Sequence, residues 1–252
     1  MEDTSKIKYI NISDRPFVPT KYINKDYVSF GMKSHQAFWG ALPSNDEDFY
    51  SKWDEEFLVC DSLFDDEKDA YITTFEYGEN TTIVNPEIIG YSTIHSFYET
   101  VKDISKSDEE IRKLFVEVLK NKKLVPENTE HIICQVDLIE DLTTLQKAFT
   151  GYDLDSNNSQ EVYKNFDYKV MKGITQCFSG LELTAYALGV EPYDYSSAIY
   201  EYETVALSRD PNYMEDNFCS HIGGWDVQSV SIFDTDAIKV IDTKKRSKPT
   251  VK

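Results

Sequence analysis

Apolar residues recur with two different periods, which divide the chain into a helical middle and strand-rich ends. Between residues 91 and 124 the apolar positions follow helical spacing in two stripes, the first beginning at Ile94 and the second at Ile111. Short runs of β-branched and aromatic residues elsewhere predict strands. These runs are IKYINI, KYINKDYVSF, AYITTF, TTIVN, HIICQVDLI, GITQCF, AIYEYETVAL, DVQSVSIF and AIKVID. The pattern predicts an α+β fold, with a split, largely antiparallel β-sheet and a helical region inserted at about 91–124.

Two local patterns predict a helix and a hairpin. Ser44 and Glu47 form a capping-box pattern, and Phe49, Trp53 and Phe57 follow at four-residue spacing, which predicts a helix beginning after Ser44. The runs AYITTF and TTIVN flank the turn sequence YGEN, which predicts that these two strands pair with each other.

A single carboxylate stands among apolar and small residues in the stretch FSGLELTAYALG, residues 178–189. Glu182 lies between two leucines, just after a glycine. The stretch fits an exposed helix that ends at Gly189, with Glu182 on its polar side, about as well as it fits a strand. The sequence leaves both interpretations open.

Length and composition indicate one domain. The 252 residues are 40% apolar and 13% aromatic, enough for one core over residues 1–243. The segment KKRSKPTVK at 244–252 follows the last apolar run and predicts a basic, flexible tail. No apolar stretch is long enough to cross a bilayer, the first residues are polar, and the four cysteines lack paired spacing. We therefore expect a cytoplasmic protein that does not associate with membranes.

The charge is the most unusual global property. The net charge is −19, and it becomes −24 when the five basic residues of the tail are set aside. Such a field repels phosphate groups, so nonspecific binding to nucleic acid is not expected. Residues 46–69 alone carry eleven Asp or Glu against two Lys. This excess of acidic residues is consistent with three roles: solubility, the binding of a basic protein, and imitation of the charge of a nucleic acid.

Three segments combine residues suited to ligand binding. Arg15, one of four arginines, predicts recognition of a carboxylate or phosphate, or a surface ion pair. Lys33 precedes Trp39 in MKSHQAFWGALPS, where small residues allow a close approach to a ligand or the ring packs in the core. In GGWDVQSVSIF, Trp225 opens a strand. The four histidines lack metal-ligand spacing, and no metal is expected.

Together these segments resemble a group of bacterial and phage proteins whose layout is similar to the ADP-ribosyltransferase fold. The matching pieces are Asn11-Ile12-Ser13, Lys33 to Ala41 with Trp53 after it, FSGLEL, and Gly224-Trp225-Asp226. ADP-ribosyltransferases bind NAD on a split antiparallel sheet and carry a catalytic glutamate near their C-terminal part. This sequence departs from the pattern at Asn11, where many members have His or Arg, and at Ala41, where Ser is common.

The resemblance implies an enzyme that cleaves NAD and transfers ADP-ribose to a macromolecular acceptor, expected to be a protein. Glu182 would stabilise the oxocarbenium-like transition state, and Gly180 would let the backbone approach the cofactor. Arg15 would hold the pyrophosphate. The remaining cofactor contacts would come from Asn11, Ser13, Lys33 and Trp39.

The acidic composition supports a second hypothesis from a different class. The chain would be a non-enzymatic inhibitor or binding protein, of phage or mobile-element type, whose acidic surface occupies the nucleic-acid site of a host protein. A structural or scaffolding domain is a third possibility. The pattern predicts no oligomeric state.

Overall fold

The computed structural model describes residues 7–19, 29–30, 33–34, 37–151, 169–184 and 227–247. The strands are β1 (Tyr9–Ser13), β2 (Ser29–Phe30), β3 (Lys33–Ser34), β4 (Phe38–Ala41), β5 (Ala70–Tyr77), β6 (Thr81–Val84), β7 (His131–Val136), β8 (Gly180–Leu183), β9 (Ser229–Ile232) and β10 (Ile238–Arg246). The helices are α1 (Lys52–Phe57), α2 (Val59–Asp65), α3 (Pro86–Ile89), α4 (Tyr91–Val101), α5 (Asp108–Asn121) and α6 (Ile139–Thr150), followed by α7 over 169–177. The predicted strand AIYEYETVAL lies outside the described residues.

Eight of these strands form one mixed sheet in the order β10-β5-β1-β4-β9-β8-β7-β6. The β6–β7 and β7–β8 pairs are parallel, and the other neighbouring pairs are antiparallel. The predicted α+β class and mainly antiparallel sheet are therefore confirmed. The eight strands form one hydrogen-bonded series, and β2 and β3 form a separate two-stranded sheet. The eight-stranded sheet curls so strongly that a side chain of β5 hydrogen-bonds to a side chain of β8, four strands away in the order.

The sheet has an inner, concave face and an outer, convex face, and each packs its own set of residues. The inner face holds an aromatic and aliphatic cluster that includes Tyr9, Phe75, Tyr77 and Val230. On the outer face the larger core cluster joins β7 and β8 to α4, α5, α6 and α7. A smaller cluster packs α2 against β1 and β5. Because side chains alternate along each strand, neighbouring residues of a strand point to opposite faces of the sheet.

The helical insertion is confirmed and lies between β6 and β7. A capping box begins α5: the amide of Glu110 donates to the Ser107 hydroxyl, and the Glu110 carboxylate accepts from the amide of Ser107. The buried positions of α4 include Ile94 and Phe97, as the helical stripe predicted.

The predicted hairpin is wrong, although both strands exist. β5 pairs with β1 and β10, and β6 pairs in parallel with β7. The turn between β5 and β6 is held by other segments: the amide of Gly78 and the hydroxyl of Thr81 both donate to the Ala237 carbonyl, at 2.9 and 2.7 Å. Pairing with distant strands therefore overrides the local turn signal.

Two predicted element boundaries are also corrected. The first helix begins at Lys52, because Ser51 rather than Ser44 accepts the capping hydrogen bond; Ser44 instead donates to Glu55 at 2.7 Å. The run GITQCF is helical through residue 177, and not a strand. A Cβ atom on Gly173 would lie 2.1 Å from the Phe149 ring, so this glycine permits close helix packing.

Residues 244–246, which we predicted to begin a flexible tail, belong to a strand. β10 continues through Lys244 and Lys245 to Arg246, which pair with residues 70–72 of β5. Lys245 lies 2.8 Å from Asp69, and the Arg246 guanidinium donates to the Tyr50 hydroxyl at 2.7 Å. The acidic and aromatic residues next to the sheet edge thus hold basic residues that we expected to lie in the tail.

Candidate functional site

Glu182 lies in β8 and points to the inner face of the curled sheet. Its neighbours Leu181 and Leu183 point the other way and pack with the helices. The Glu182 side chain is 0% exposed. The strand interpretation of this stretch is therefore correct for residues 180–183, and the exposed-helix alternative is wrong there.

Four side chains donate hydrogen bonds to the Glu182 carboxylate. The Tyr77 hydroxyl and the Gln135 amide donate to Oε2, each at 3.0 Å. The Gln228 amide donates to Oε1 at 3.1 Å, and the Tyr9 hydroxyl donates to the same oxygen. Since a carboxylate offers about four acceptor sites, this set fills them. The carboxylate joins β1, β5, β7 and β8 to the residue that precedes β9.

Burial controls the proton equilibria of this cluster. Burial raises the pKa of Glu182 above its ordinary value, against the opposing effect of hydrogen bonds from Tyr9, Tyr77, Gln135 and Gln228. Burial, followed by the negative charge of Glu182, also raises the pKa of Tyr9 and of Tyr77 well above that of a free phenol. Both tyrosines are therefore neutral donors throughout the physiological pH range.

The packing of β8 against its neighbouring strands leaves no room for a side chain at Gly180. A Cβ atom at this position would lie 2.8 Å from Cδ1 of Ile133 and 2.9 Å from the carbonyl oxygen of Ser231. The close approach that we predicted for a cofactor is thus made by a neighbouring side chain and by the backbone of β9.

Trp39 lies on the opposite face of the sheet from Glu182. The next residue, Gly40, faces inward, since a Cβ atom there would meet the Phe75 ring at 2.4 Å. Side chains alternate along a strand, so the indole of Trp39 points outward, where it contacts Trp53 with ring centroids 5.9 Å apart. It cannot wall a nicotinamide that is bound at Glu182.

Asn11, Ser13 and Arg15 do not converge on Glu182 either. The amide of Asn11 donates to the backbone carbonyl of Trp39 at 2.7 Å. The Ser13 hydroxyl donates to the Arg15 carbonyl at 2.6 Å, and the Arg15 side chain is 86% exposed, 3.8 Å from Asp14. Ser13 is about 13 Å along β1 from Tyr9. Lys33 lies in β3, opposite Phe30 in a separate two-stranded sheet.

A cleft of about 450 Å³ opens on the outer face, between β1, β4 and the α1–α2 segment. We call it the tryptophan cleft. It is lined by Ile10, Asn11, Ile12, Ala37, Trp39, Ser51, Trp53, Phe57 and Val59. The sequence signal for it was the Trp53 and Phe57 stripe, from which we predicted only a helix. In the structure Phe57 and its neighbour Leu58 are 47% and 50% exposed.

Four exposed acids near this cleft have no ion-pair partner among the described residues, although Glu55 on α1 pairs with Lys52 and Asp66 at the end of α2 pairs with Lys68. Within the described ranges the exposed residues Glu47, Glu56, Asp61 and Asp65 form no ion pair. In α4 and α5, by contrast, three glutamates are paired with lysines one turn away. These pairs are Glu99–Lys102, Glu109–Lys113 and Glu117–Lys120. We call the α1–α2 surface that carries the unpaired acids the acidic face.

A second cavity, of about 500 Å³, lies between α5 and the starts of β7 and β8. Buried Arg112 donates to the Thr175 carbonyl at 2.6 Å and lies 3.8 Å from Asp234. His131 Nδ1 and the Ser179 hydroxyl are 3.2 Å apart. Because its lysines are paired with glutamates of the same helix, this cavity does not present a strong anion site.

No family model, no curated protein and no solved structure matches this chain. Across the parts of the chain that the structure describes, no helix is long and apolar enough to span a bilayer. Nor do those parts contain a group of three or more His, Cys, Asp or Glu that could hold a metal ion. The resemblance to ADP-ribosyltransferases therefore stays a prediction.

Proposed function

We propose that this protein is a non-enzymatic binding protein whose acidic face engages a basic protein partner. The observation that carries the proposal is the set of exposed, unpaired acids on α1 and α2, placed beside an open cleft. An acidic surface attracts a basic partner over about 10 Å at moderate ionic strength and accelerates association.

The positions of Glu56 and Asp65 support binding over solubility, whereas Asp61 lies in the first turn of α2, where an acid is favourable. Neither α1 nor α2 has a basic residue in its last turn, and Asp65 and Asp66 lie at the end of α2. The C-terminal end of a helix favours cations, so acids there destabilise the folded state slightly. Acids that serve only solubility could stand anywhere on the surface. Acids at unfavourable helix ends are typical of a surface that serves function at some loss of stability.

The geometry of Glu182 supports this proposal over NAD cleavage. Its carboxylate is fully buried and accepts four hydrogen bonds from the protein. To contact a ribose hydroxyl, it would have to lose at least one of these donors and become accessible. Arg15, the predicted pyrophosphate ligand, points to solvent.

NAD cleavage and a cytoplasmic location stay predictions. The enzymatic hypothesis is tested by incubating the protein with labelled NAD and a cell extract and measuring the release of nicotinamide. Release by the wild type that is lost in Glu182→Gln would support the enzyme and contradict the binding proposal as the whole function. No release from either protein would exclude it under those conditions.

The binding proposal is tested by neutralising the acidic face. A variant with Glu47→Gln, Glu56→Gln, Asp61→Asn and Asp65→Asn is compared with a control that neutralises exposed acids elsewhere, Glu127, Glu130 and Glu140. Each immobilised protein captures partners from an extract at about 50 mM and about 300 mM salt. We expect the wild type and the control to retain the same basic proteins at low salt, and the acidic-face variant to lose them. Equal capture by all three proteins would contradict the proposal.

A further inference from the structure

We infer that the tryptophan cleft receives one large apolar side chain of the basic partner, in a segment that carries Lys or Arg on both sides of this anchor. The inference rests on the proposed function and adds to it the chemistry of the segment that is recognised. It is carried by the lining of the cleft, by its exposed apolar rim and by the charge around it.

The lining favours an apolar occupant. Apart from Asn11 and Ser51, all the lining residues are apolar. Both polar side chains already have protein partners: Asn11 donates to the Trp39 carbonyl at 2.7 Å, and the Ser51 hydroxyl accepts from the amide of Asp54 at 3.2 Å. A hydrogen-bonding ligand would therefore gain little in this cleft, whereas an aromatic or aliphatic side chain would contact two indole rings. The cleft volume of about 450 Å³ is ample for one such side chain.

The rim of the cleft exposes apolar groups at a strained junction. Phe57 ends α1, and Leu58 adopts a left-handed conformation with φ 48° and ψ 45° before α2 begins. This conformation is unfavourable for a leucine. The junction keeps both side chains about half exposed next to the cleft. Exposed apolar residues beside a concave apolar surface are typical of a protein interface, because a bound partner removes them from water.

The charge around the cleft selects a basic segment. Glu56 and Asp61 lie on either side of the Phe57–Leu58 junction, and neither has a counterion among the described residues. The chain itself shows how this surface takes a cation. The Arg246 guanidinium lies 5.2 Å from the centre of the Tyr50 ring and 5.8 Å from that of Phe64. A second copy of this chain is a poor occupant, because two acidic faces repel each other.

The test begins with selection from a phage-displayed library of random dodecapeptides on the immobilised wild-type protein at low salt. We expect the enriched peptides to carry Lys or Arg on both sides of one Phe, Trp, Leu, Ile or Met. For synthetic copies, replacing the anchor by Ala is expected to weaken binding about tenfold or more. Binding is measured by isothermal titration calorimetry, and the fluorescence of Trp39 and Trp53 in the cleft reports occupancy.

The protein variants separate this inference from the proposed function. Phe57→Ser is expected to weaken peptide binding about tenfold, and Ile88→Ser, a matched change of an exposed residue on α3, by less than about twofold. If Phe57→Ser fails to fold, Leu58→Asn replaces it, since Asn tolerates the left-handed conformation. Neutralising the acidic face is expected to weaken binding of both the anchored and the Ala-substituted peptide.

Four outcomes would overturn the inference. The first is enrichment of peptides without a flanked apolar anchor, or of none. The second is equal binding of the selected peptide to the wild type and to Phe57→Ser. The third is that a small apolar solute occupies the cleft and that neutralising the acidic face does not change peptide binding. The fourth is a self-association of the protein that Phe57→Ser abolishes, detected by sedimentation. If the acidic-face variant still loses its partners while the Phe57 variant keeps them, only the inference fails. If the acidic-face variant keeps them, the proposed function fails.

Discussion

Glu182 shows how a buried carboxylate can join distant parts of a sheet. Its four donors are separated from it along the chain by 173, 105, 47 and 46 positions. The protonation state of Glu182 affects the free energy of unfolding of the whole domain. This is because each of its four donors is also buried or half-buried.

The first prediction concerns pH. The pKa of Glu182 is raised in the folded state, so its contribution to stability is largest below the unfolded pKa of about 4.3 and is lost as the pH rises through the folded pKa. Glu182→Gln removes this dependence. We expect the free energy of unfolding of the wild type to decrease more steeply above about pH 4.3 than that of the variant. Urea unfolding at a series of pH values measures both slopes, and Glu130→Gln is the exposed control. Parallel curves would contradict the pKa shift.

The second prediction concerns the tyrosine donors. Tyr77→Phe leaves a buried oxygen of Glu182 with one donor fewer, and we expect the protein to lose about 1.5–3 kcal/mol of stability. Tyr71→Phe is the control, because Tyr71 is half-exposed in the same strand. Chemical denaturation measures the difference between the two variants. Equal destabilisation would show that the hydrogen bond to Glu182 contributes nothing of its own.

The sequence identified Glu182 as unusual but could not reveal its surroundings. A carboxylate between two leucines is visible in one short stretch, while Tyr9, Tyr77 and Gln135 come from three other strands. Only the curl of the sheet brings them together. For Trp39 the core-packing alternative holds, and its face could not be predicted because the face of an isolated strand depends on what packs against its neighbours.

The end of α2 carries acids at a position where a helix favours cations. Asp65 lies at the end of α2, whereas Asp108 lies in the first turn of α5. Because the helix dipole favours anions at the N-terminus and cations at the C-terminus, Asp65→Asn is expected to stabilise the protein by about 0.3–1 kcal/mol and Asp108→Asn to destabilise it. Thermal unfolding measures both changes. If both variants changed stability in the same direction, the helix-dipole argument would be contradicted. The inference that the acidic face reduces stability in favour of binding would then lose its support.

The elements themselves were more predictable than their partners. Periodicity located α4, α5, β7, β9 and β10, because the burial of an apolar stripe is a local property of the sequence. The pairing of β6 with β7 was missed, because it depends on contacts between residues about 50 positions apart. GITQCF was misassigned since a short apolar run fits a buried helix and a strand equally well. Its Gly173 serves packing against Phe149 and does not interrupt the helix.

The net charge of −19 predicts that salt raises the stability of the protein and weakens its binding to a basic partner. Screening reduces repulsion among the acids, so we expect the unfolding temperature to rise between about 20 and about 300 mM salt. The same screening weakens a complex with a basic partner. Calorimetry and binding kinetics at matched salt concentrations measure the two effects. The acidic-face variant is expected to show a smaller change in both quantities, and an unchanged salt response of that variant would contradict the prediction.

The end of β10 has a consequence for how the protein is handled in experiments. Lys245 and Arg246 contact Asp69, Tyr50 and Phe64, so the chain supplies its own counterions next to the acidic face. A tethered cation is present at a high local concentration and competes with an incoming one. A fusion or truncation that displaces this strand end would therefore alter the apparent affinity for a basic partner without any change in the binding surface, and tags are better placed at the opposite terminus.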